Sequence, residues 1–279
     1  MTQVGLEAVA DDPGTAVVVL ISKPPAPSVL PRIETALAQL GKPAVVCCLG
    51  APPRNHGPGQ WVTTLEDTAR AAVAAISGAP WQPRAFEDPV SVRARLVPVA
   101  AVEDRRGPGL RGFYTGGTLA VEARLVLEPL IGPVASNFAP GGAGAPHEIL
   151  DLGADEFTLG RPHPMLDPET RAARVREVGR DPAVGLVLVD LVLGRAVHPD
   201  PAGPLAAAVR EARAAAEATG RVFTSVASVV GTEDDPQGLR AQIAALEAAG
   251  VVVLPSNAQA ARFAALVLRP DLAPSLLGR

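Results

Sequence analysis

The sequence predicts a doubly wound, flavodoxin-like α/β fold built on parallel sheets. Three observations carry that prediction. Short apolar runs alternate with amphipathic stretches along the chain, the pattern of strand–helix–strand units closed by right-handed crossovers. The composition is 48% hydrophobic but only 3% aromatic, which suits strands buried on both faces under small-residue helices. The chain also repeats itself weakly, so the fold is expected twice.

The first copy begins with Leu6-Glu-Ala-Val9 and Asp12-Pro13, followed by an apolar run at 16–21 that reads as a buried strand. A Pro-rich loop leads to an amphipathic helix at 29–40, then Gly41-Lys42 and a second strand at 44–49 ending on Gly50. The stretch 78–109 is Pro-rich and reads as a linker. Beyond it come a strand at 112–114, a helix from about Gly116 and a strand near 134–138. The polar stretch 151–167 follows, which its prolines and glycines hold out of regular structure. The second copy then repeats the first. Val175-Arg-Glu-Val178 and Asp181-Pro182 precede a strand at 185–189, a helix at 205–219, Gly220-Arg221 and a strand at 222–226, with a helix at 239–249 and a strand at 251–254 closing the sheet.

The expected organisation is therefore a partial first subdomain at 1–77, a linker at 78–109 and a second, complete domain at 110–279. The first copy lacks a counterpart to residues 112–167, so its sheet is expected to have an open edge. A partner subunit, another copy of the chain or a segment outside this sequence would complete it.

Charge and composition exclude several classes. A formal net charge of −4 without a basic, aromatic-interleaved patch argues against nucleic acid. No apolar run approaches membrane-spanning length and no basic-then-apolar leader is seen, so no membrane partner is expected and the location expected is the cytoplasm. The two cysteines are the adjacent Cys47 and Cys48, which would point to opposite faces of a strand and so read as small core residues. His56, His147, His163 and His198 do not pair at metal-ligand spacing, and no metal site is expected.

Three loops carry the polar chemistry. In Tyr114-Thr-Gly-Gly-Thr-Leu119 a strand passes into a helix through two glycines. Gly116, Gly117 and Thr118 could cradle a phosphate or carboxylate on the helix N-terminus; Thr115 or Thr118 could equally cap that helix. In the stretch 151–167, Arg161 stands next but one to His163, which is held between Pro162 and Pro164. A guanidinium beside a fixed imidazole suits an oxyanion or a proton shuttle; a hydrogen-bonded structural histidine is the competing reading. In Gly231-Thr-Glu-Asp-Asp-Pro-Gln-Gly238 the acids either bind a ligand such as an amine or Mg²⁺, or cap the next helix. Asp190, at the end of its strand, is expected to join these loops at the carboxyl edge of the sheet. The glycines at 107, 109 and 112 match a dinucleotide pattern but precede a strand instead of following one, which rejects that reading.

Ile21-Ser-Lys-Pro-Pro25, Gly41-Lys-Pro43, Tyr114-Thr-Gly-Gly-Thr-Leu119, Asp155-Glu-Phe-Thr158, Gly160-Arg-Pro-His-Pro-Met165, Asp190, Gly231-Thr-Glu233 and Asp235-Pro-Gln237 together resemble FdrA-type acyl-CoA synthetase-like proteins, relatives of the succinyl-CoA synthetase α subunit. The resemblance runs over nearly the whole chain. It implies ligase-type flavodoxin-like domains and a role in acyl or carbamoyl transfer, of the oxamate carbamoyltransferase type linked to ureide catabolism. It also implies catalytic roles for Arg161, His163 and Glu233, phosphate or oxyanion binding by Thr115, Gly116, Gly117 and Thr118, and substrate binding by Asp155, Asp190, Thr232 and Asp235. The partner molecule would be a small acid, with phosphate or carbamoyl phosphate as the anion.

Two departures from the family pattern matter. The loop 231–238 has no histidine where succinyl-CoA synthetase carries its phosphohistidine, and the CoA-binding domain usual in the family is missing from this sequence. CoA binding is therefore not expected of this chain without a partner domain. A nucleotide-dependent acyl-CoA ligase subunit and a non-catalytic scaffold are the alternative readings.

Overall fold

A computed structural model describes residues 2–52, 54, 57–101, 105–142 and 144–278; His56 lies outside them. The chain divides into two compact units, Met1–Arg84 and Ala85–Arg279.

The first unit is a three-stranded parallel sheet in the order β1 (Val18–Ser22), β2 (Ala44–Cys48), β3 (Gln60–Val62). Helices α1 (Thr2–Ala10) and α2 (Leu30–Ala38) cover one face, where Leu6, Ile33 and Leu37 bury against Val18, Val46 and Cys48. Helix α3 (Leu65–Ser77) packs near the other face; Thr64 accepts from the Asp67 N–H at 3.0 Å to start it and Gly78, at φ 66°, stops it. Cys47 and Cys48 are both buried, as a strand through the middle of a sheet requires.

In the second unit six parallel strands stand in the order β5, β6, β4, β7, β8, β9. In chain order these are β4 (Gly109–Tyr114), β5 (Val134–Ser136), β6 (His147–Asp151), β7 (Val184–Val192), β8 (Thr224–Val230) and β9 (Val251–Leu254). With β5 as an added edge, the first strand lies between its successors, which is the doubly wound, flavodoxin-type order. This agrees with the fold class read from sequence. Helix α4 (Pro89–Ala100), helix α5 (Gly117–Ile131) and, near the C-terminus, α10 (Asn257–Leu268) and α11 (Ala273–Leu277) lie on one face. The other face carries α7 (Glu169–Arg180), α8 (Ala202–Glu217) and α9 (Leu239–Ala248), while α6 (Asp155–Thr158) is a single turn after β6. Among the described residues no helix is long and apolar enough to cross a membrane.

Three local expectations change. The stretch read as a linker contains α4, because Asp88 accepts from the Val90 and Ser91 N–H groups and Pro89 occupies a first-turn position where its missing N–H costs nothing. Phe86 and Val92 of that stretch bury in the core of the second unit. The loop 151–167 is also less irregular than expected, since Asp151 ends β6 and 155–158 forms the turn α6. Strand β6 escapes an apolar-run search because His147, Glu148 and Asp151 are polar, yet Ile149 is fully buried.

The glycines of the rejected dinucleotide pattern have a packing reason. A Cβ on Gly107 or Gly109 would lie 2.6 Å from the Pro182 or Ala183 carbonyl, and one on Gly112 would lie 2.7 Å from Ile149. Strand β4 is thus hemmed in on both sides. His147 serves the same edge: it is buried and its Nδ1 accepts from the Leu110 N–H at 3.3 Å.

Burial, helped by the Arg111 guanidinium, lowers the His147 pKa below its ordinary 6.5. The unfolded chain therefore takes up the proton first, and its contribution is full above that ordinary value and lost as pH falls through it toward the folded-state value. Urea midpoints of the second unit should fall between about pH 7 and pH 5, and His147→Gln should flatten that fall.

Candidate functional site

The site is built where the chain order of the sheet reverses, at the carboxyl ends of β4 and β7, the place where open α/β sheets leave a crevice. Strand β4 stops at Tyr114, two residues pass, and α5 begins at Gly117 with Gly116 as its N-cap.

Asp190 on β7 is fully buried. Its carboxylate accepts from the Thr115 N–H at 2.8 Å, the Gly116 N–H at 3.0 Å, the Thr115 hydroxyl at 3.1 Å and Arg171 Nη1 at 3.2 Å. Arg171, from α7, is itself 2% exposed. Burial pushes the Asp190 carboxyl up, and Arg171 together with these hydrogen bonds pulls it back. Asp190 is thus the internal anchor of the β4–α5 turn, enclosed by protein rather than open to the crevice as a substrate ligand would be. Thr115 and Gly116 likewise give their N–H groups to Asp190, which removes those two donors from the expected phosphate cradle.

Gly117 and Thr118 differ. Neither N–H has a hydrogen-bond acceptor among the described residues, and both open the first turn of α5, where the helix field favours an anion. Asp151, at the end of β6, stands against this turn: a Cβ on Gly117 would lie 2.5 Å from its Oδ2. His163 closes on the same point from the following loop. A Cβ on Gly153 would lie 2.6 Å from His163 Nε2 and 3.2 Å from both Asp151 Oδ1 and the Thr115 carbonyl. His163 Nδ1 accepts from the Met165 N–H at 3.2 Å, which leaves Nε2 as the nitrogen facing Gly153.

Asn137 fixes β6 in place. It accepts from the Asp151 N–H at 2.9 Å and donates to the Asp151 carbonyl at 3.0 Å. Below the turn, the Tyr114 hydroxyl donates to Asn257 at 3.0 Å, and Asn257 donates to Glu122 at 2.8 Å. Burial and the nearby Asp190 and Glu122 carboxylates push the Tyr114 phenol well up, so it stays a donor.

The remaining predicted residues stand apart from this cluster. Arg161 and Asp155 are exposed, and neither side chain makes a hydrogen bond or ion pair among the described residues. Glu233 accepts from the Arg240 N–H at 3.1 Å and so caps α9, while Asp235 Oδ2 accepts from the Thr232 N–H at 2.6 Å and its hydroxyl at 3.2 Å. Glu233 and Asp235 are thus engaged in capping α9 and holding the loop, as the competing capping reading expected. The rim is nonetheless continuous: the His198 N–H donates to Met165, and buried Gln237 donates to the Gly194 and His198 carbonyls.

Asp151, Gly153 and Asn137 were given no role by the sequence. A carboxylate closing a strand and followed two residues later by glycine was the available signal for the first two; Asn137 had none. Chemically, the crevice offers the Gly117 and Thr118 N–H groups at the α5 terminus and His163 Nε2 against Gly153, with Asp151 between them as a resident charge.

The fold and these groups define a doubly wound α/β protein with a polar crevice at its switch point. Residues 113–267, more than half of the chain, match the family model for CoA-ligase, and the chain belongs to that family. It is 36% identical over 262 residues to the Escherichia coli K12 protein YahF, itself uncharacterized, a match covering 88% of this chain and 49% of YahF. Among solved structures it is similar to the dinucleotide-forming acetyl-coenzyme A synthetase 1 of Ca. Korarchaeum cryptofilum. The form with phosphate and ADP gives 17% identity and a TM-score of 0.42, and the apo form 15% and 0.41; each covers 99% of this chain and 57% of the other. The chain spans about half the length of the relatives it matches.

Proposed function

We propose that this chain is one component of an acyl-transferring enzyme of the succinyl-CoA synthetase superfamily, of the FdrA type, and that the α5 terminus with His163 holds the anionic group during transfer. The observation that carries this reading is the pair of open N–H groups of Gly117 and Thr118 on the α5 terminus, with Asp151 against it and His163 on the adjoining loop, at the switch point of a CoA-ligase-family domain. Such donors stabilise charge on an acyl phosphate or carboxylate without having to reorganise. The loop 231–238 holds no histidine, so transfer on this chain runs directly between acyl group and phosphate, and a carbamoyl group is the acyl unit that best suits that route. Arg161, exposed on the rim, would meet the substrate carboxylate from outside.

The edge offers donors for one anionic group, and the buried Arg171 is already paired with Asp190. It does not match the several phosphates of CoA, and the transfer proposed for this chain has no step through CoA.

Isothermal titration of the full chain with inorganic phosphate and with carbamoyl phosphate tests the site. His163→Asn should weaken binding about tenfold, the scale of one charge-assisted hydrogen bond. Arg161→Ala should raise KM in the assembled enzyme. Unchanged affinity in the histidine variant would remove the assignment. A CoA ligase is the second reading, favoured by the family match, and CoA-dependent release of ADP by the assembly would select it.

A further inference from the structure

The first unit reproduces the closing half of the second, strand by strand. In β1–β2, Val18 and Val19 pair with Ala44 and Val45; in β7–β8, Val187 and Leu188 pair with Ser225 and Val226. In β2–β3, Val46 and Cys47 pair with Trp61 and Val62; in β8–β9, Ala227 and Ser228 pair with Val253 and Leu254. Two residues beyond Val62 and Leu254, Thr64 and Ser256 each accept from the N–H three residues on to cap the next helix. Helices α1 and α7 precede their strands with Leu6 and Val175 buried alike.

The first unit has no described counterpart of α9, which joins β8 to β9, and the copies differ again in what lies beside the first strand. In the second unit β4 pairs along β7, matching Gly112 to Leu188, and α5 packs on α10 above them. Leu188 and Ala265 are both fully buried by that arrangement. Their counterparts in the first unit are Val19, 42% exposed, and Val73, 66% exposed. Ile21 and Ile76, the next positions on the same strand and helix, are exposed as well. Strand β1 ends the sheet, and the outward β-branched side chains trace the footprint that β4 and α5 cover in the other copy. By contrast, the outer edge of β9 is closed by Arg95, which donates to the Val253 carbonyl at 2.6 Å.

We infer that β1 and α3 form a docking surface for a strand–helix half-domain outside this sequence, which adds a strand parallel to β1 and lays an Ala- and Leu-rich helix on α3, as residues 109–131 do in the second unit. The pairing is strand addition, with main-chain hydrogen bonds giving affinity and the apolar side chains giving register. YahF extends well beyond the region matched here, about half its length, and that material is the natural source of such a half-domain. The inference rests on reading the chain as one component of a larger enzyme.

The test mixes the full chain with a probe, the portion of YahF outside the matched region made as a separate polypeptide. A 1:1 complex by light scattering, with amide exchange at 18–22 slowed at least tenfold and binding lost in Val19→Lys/Ile21→Lys, is the expected result. Both positions are exposed, so the variant should keep the circular dichroism of the parent. Four results overturn the inference: no binding, binding with exchange at 18–22 unchanged, self-association of the chain through β1, or slow exchange of β1 in the chain alone as a monomer. Phosphate titration reads the α5 terminus independently, so the docking surface and the anion site can fail separately.

Discussion

Asp190→Ala should destabilise the second unit by about 3–5 kcal/mol, the cost of leaving one partner of a buried ion pair uncompensated. Arg171 would stay buried with its charge unopposed, and the Thr115 and Gly116 N–H groups would lose their acceptor. For a unit of this size that corresponds to roughly 6–20 °C in Tm. Trp61 and Trp81 both lie in the first unit and Tyr114 is the sole tyrosine, so tryptophan fluorescence follows the first unit while circular dichroism adds the second. The tryptophan transition should stay where it was as the second shifts. The double variant Asp190→Leu/Arg171→Met should recover most of the loss, because replacing a whole buried pair with apolar groups is often neutral. If Asp190→Ala changed nothing, the carboxylate would have to be reachable by solvent, and its place as a substrate ligand would return.

Gly179→Ala is the second large effect, and its sign is the informative part. Gly179 is helical, so local propensity alone has alanine stabilising the protein by about 0.5–1 kcal/mol. Packing reverses this: a Cβ there would lie 2.4 Å from the Ala212 Cα and 2.7 Å from the Ala212 carbonyl on α8. Backbone cannot turn aside as a side-chain tip can, and the two helices must separate. The expected outcome is a loss of about 1–3 kcal/mol, the usual range for overpacking a filled interior. A urea series on the purified variant reads it, and any gain in stability would show that α7 and α8 are not in close contact at this point.

Much of the scaffold was legible because burial and periodicity are local. Strands β2, β7 and β9 are apolar runs with both faces covered, and α8 and α9 carry their apolar residues three and four apart. Strands β3 and β6 are short and partly polar, so no apolar run marks them, and α4 is hidden by prolines that here begin a helix instead of breaking one. At the site, the turn after β4 and the fixed position of His163 could be read from glycines and prolines. The roles of the acids could not. Asp190, Glu233 and Asp235 look alike in sequence, yet one anchors a turn from the core, one caps a helix and one closes its own loop.

The order of apolar and polar residues therefore determined by itself that this protein would be a repeated, parallel α/β fold, because alternation and hydrophobic period act over a few residues. Only the tertiary structure decided that Asp190 belongs to Arg171, that Asp151 and His163 close on Gly153 beside α5, and that Val19, Ile21, Val73 and Ile76 are the side chains left bare at the open edge the repeat foretold. Those facts depend on groups far apart in the chain, and a charge or an edge acquires its meaning from what folding places beside it.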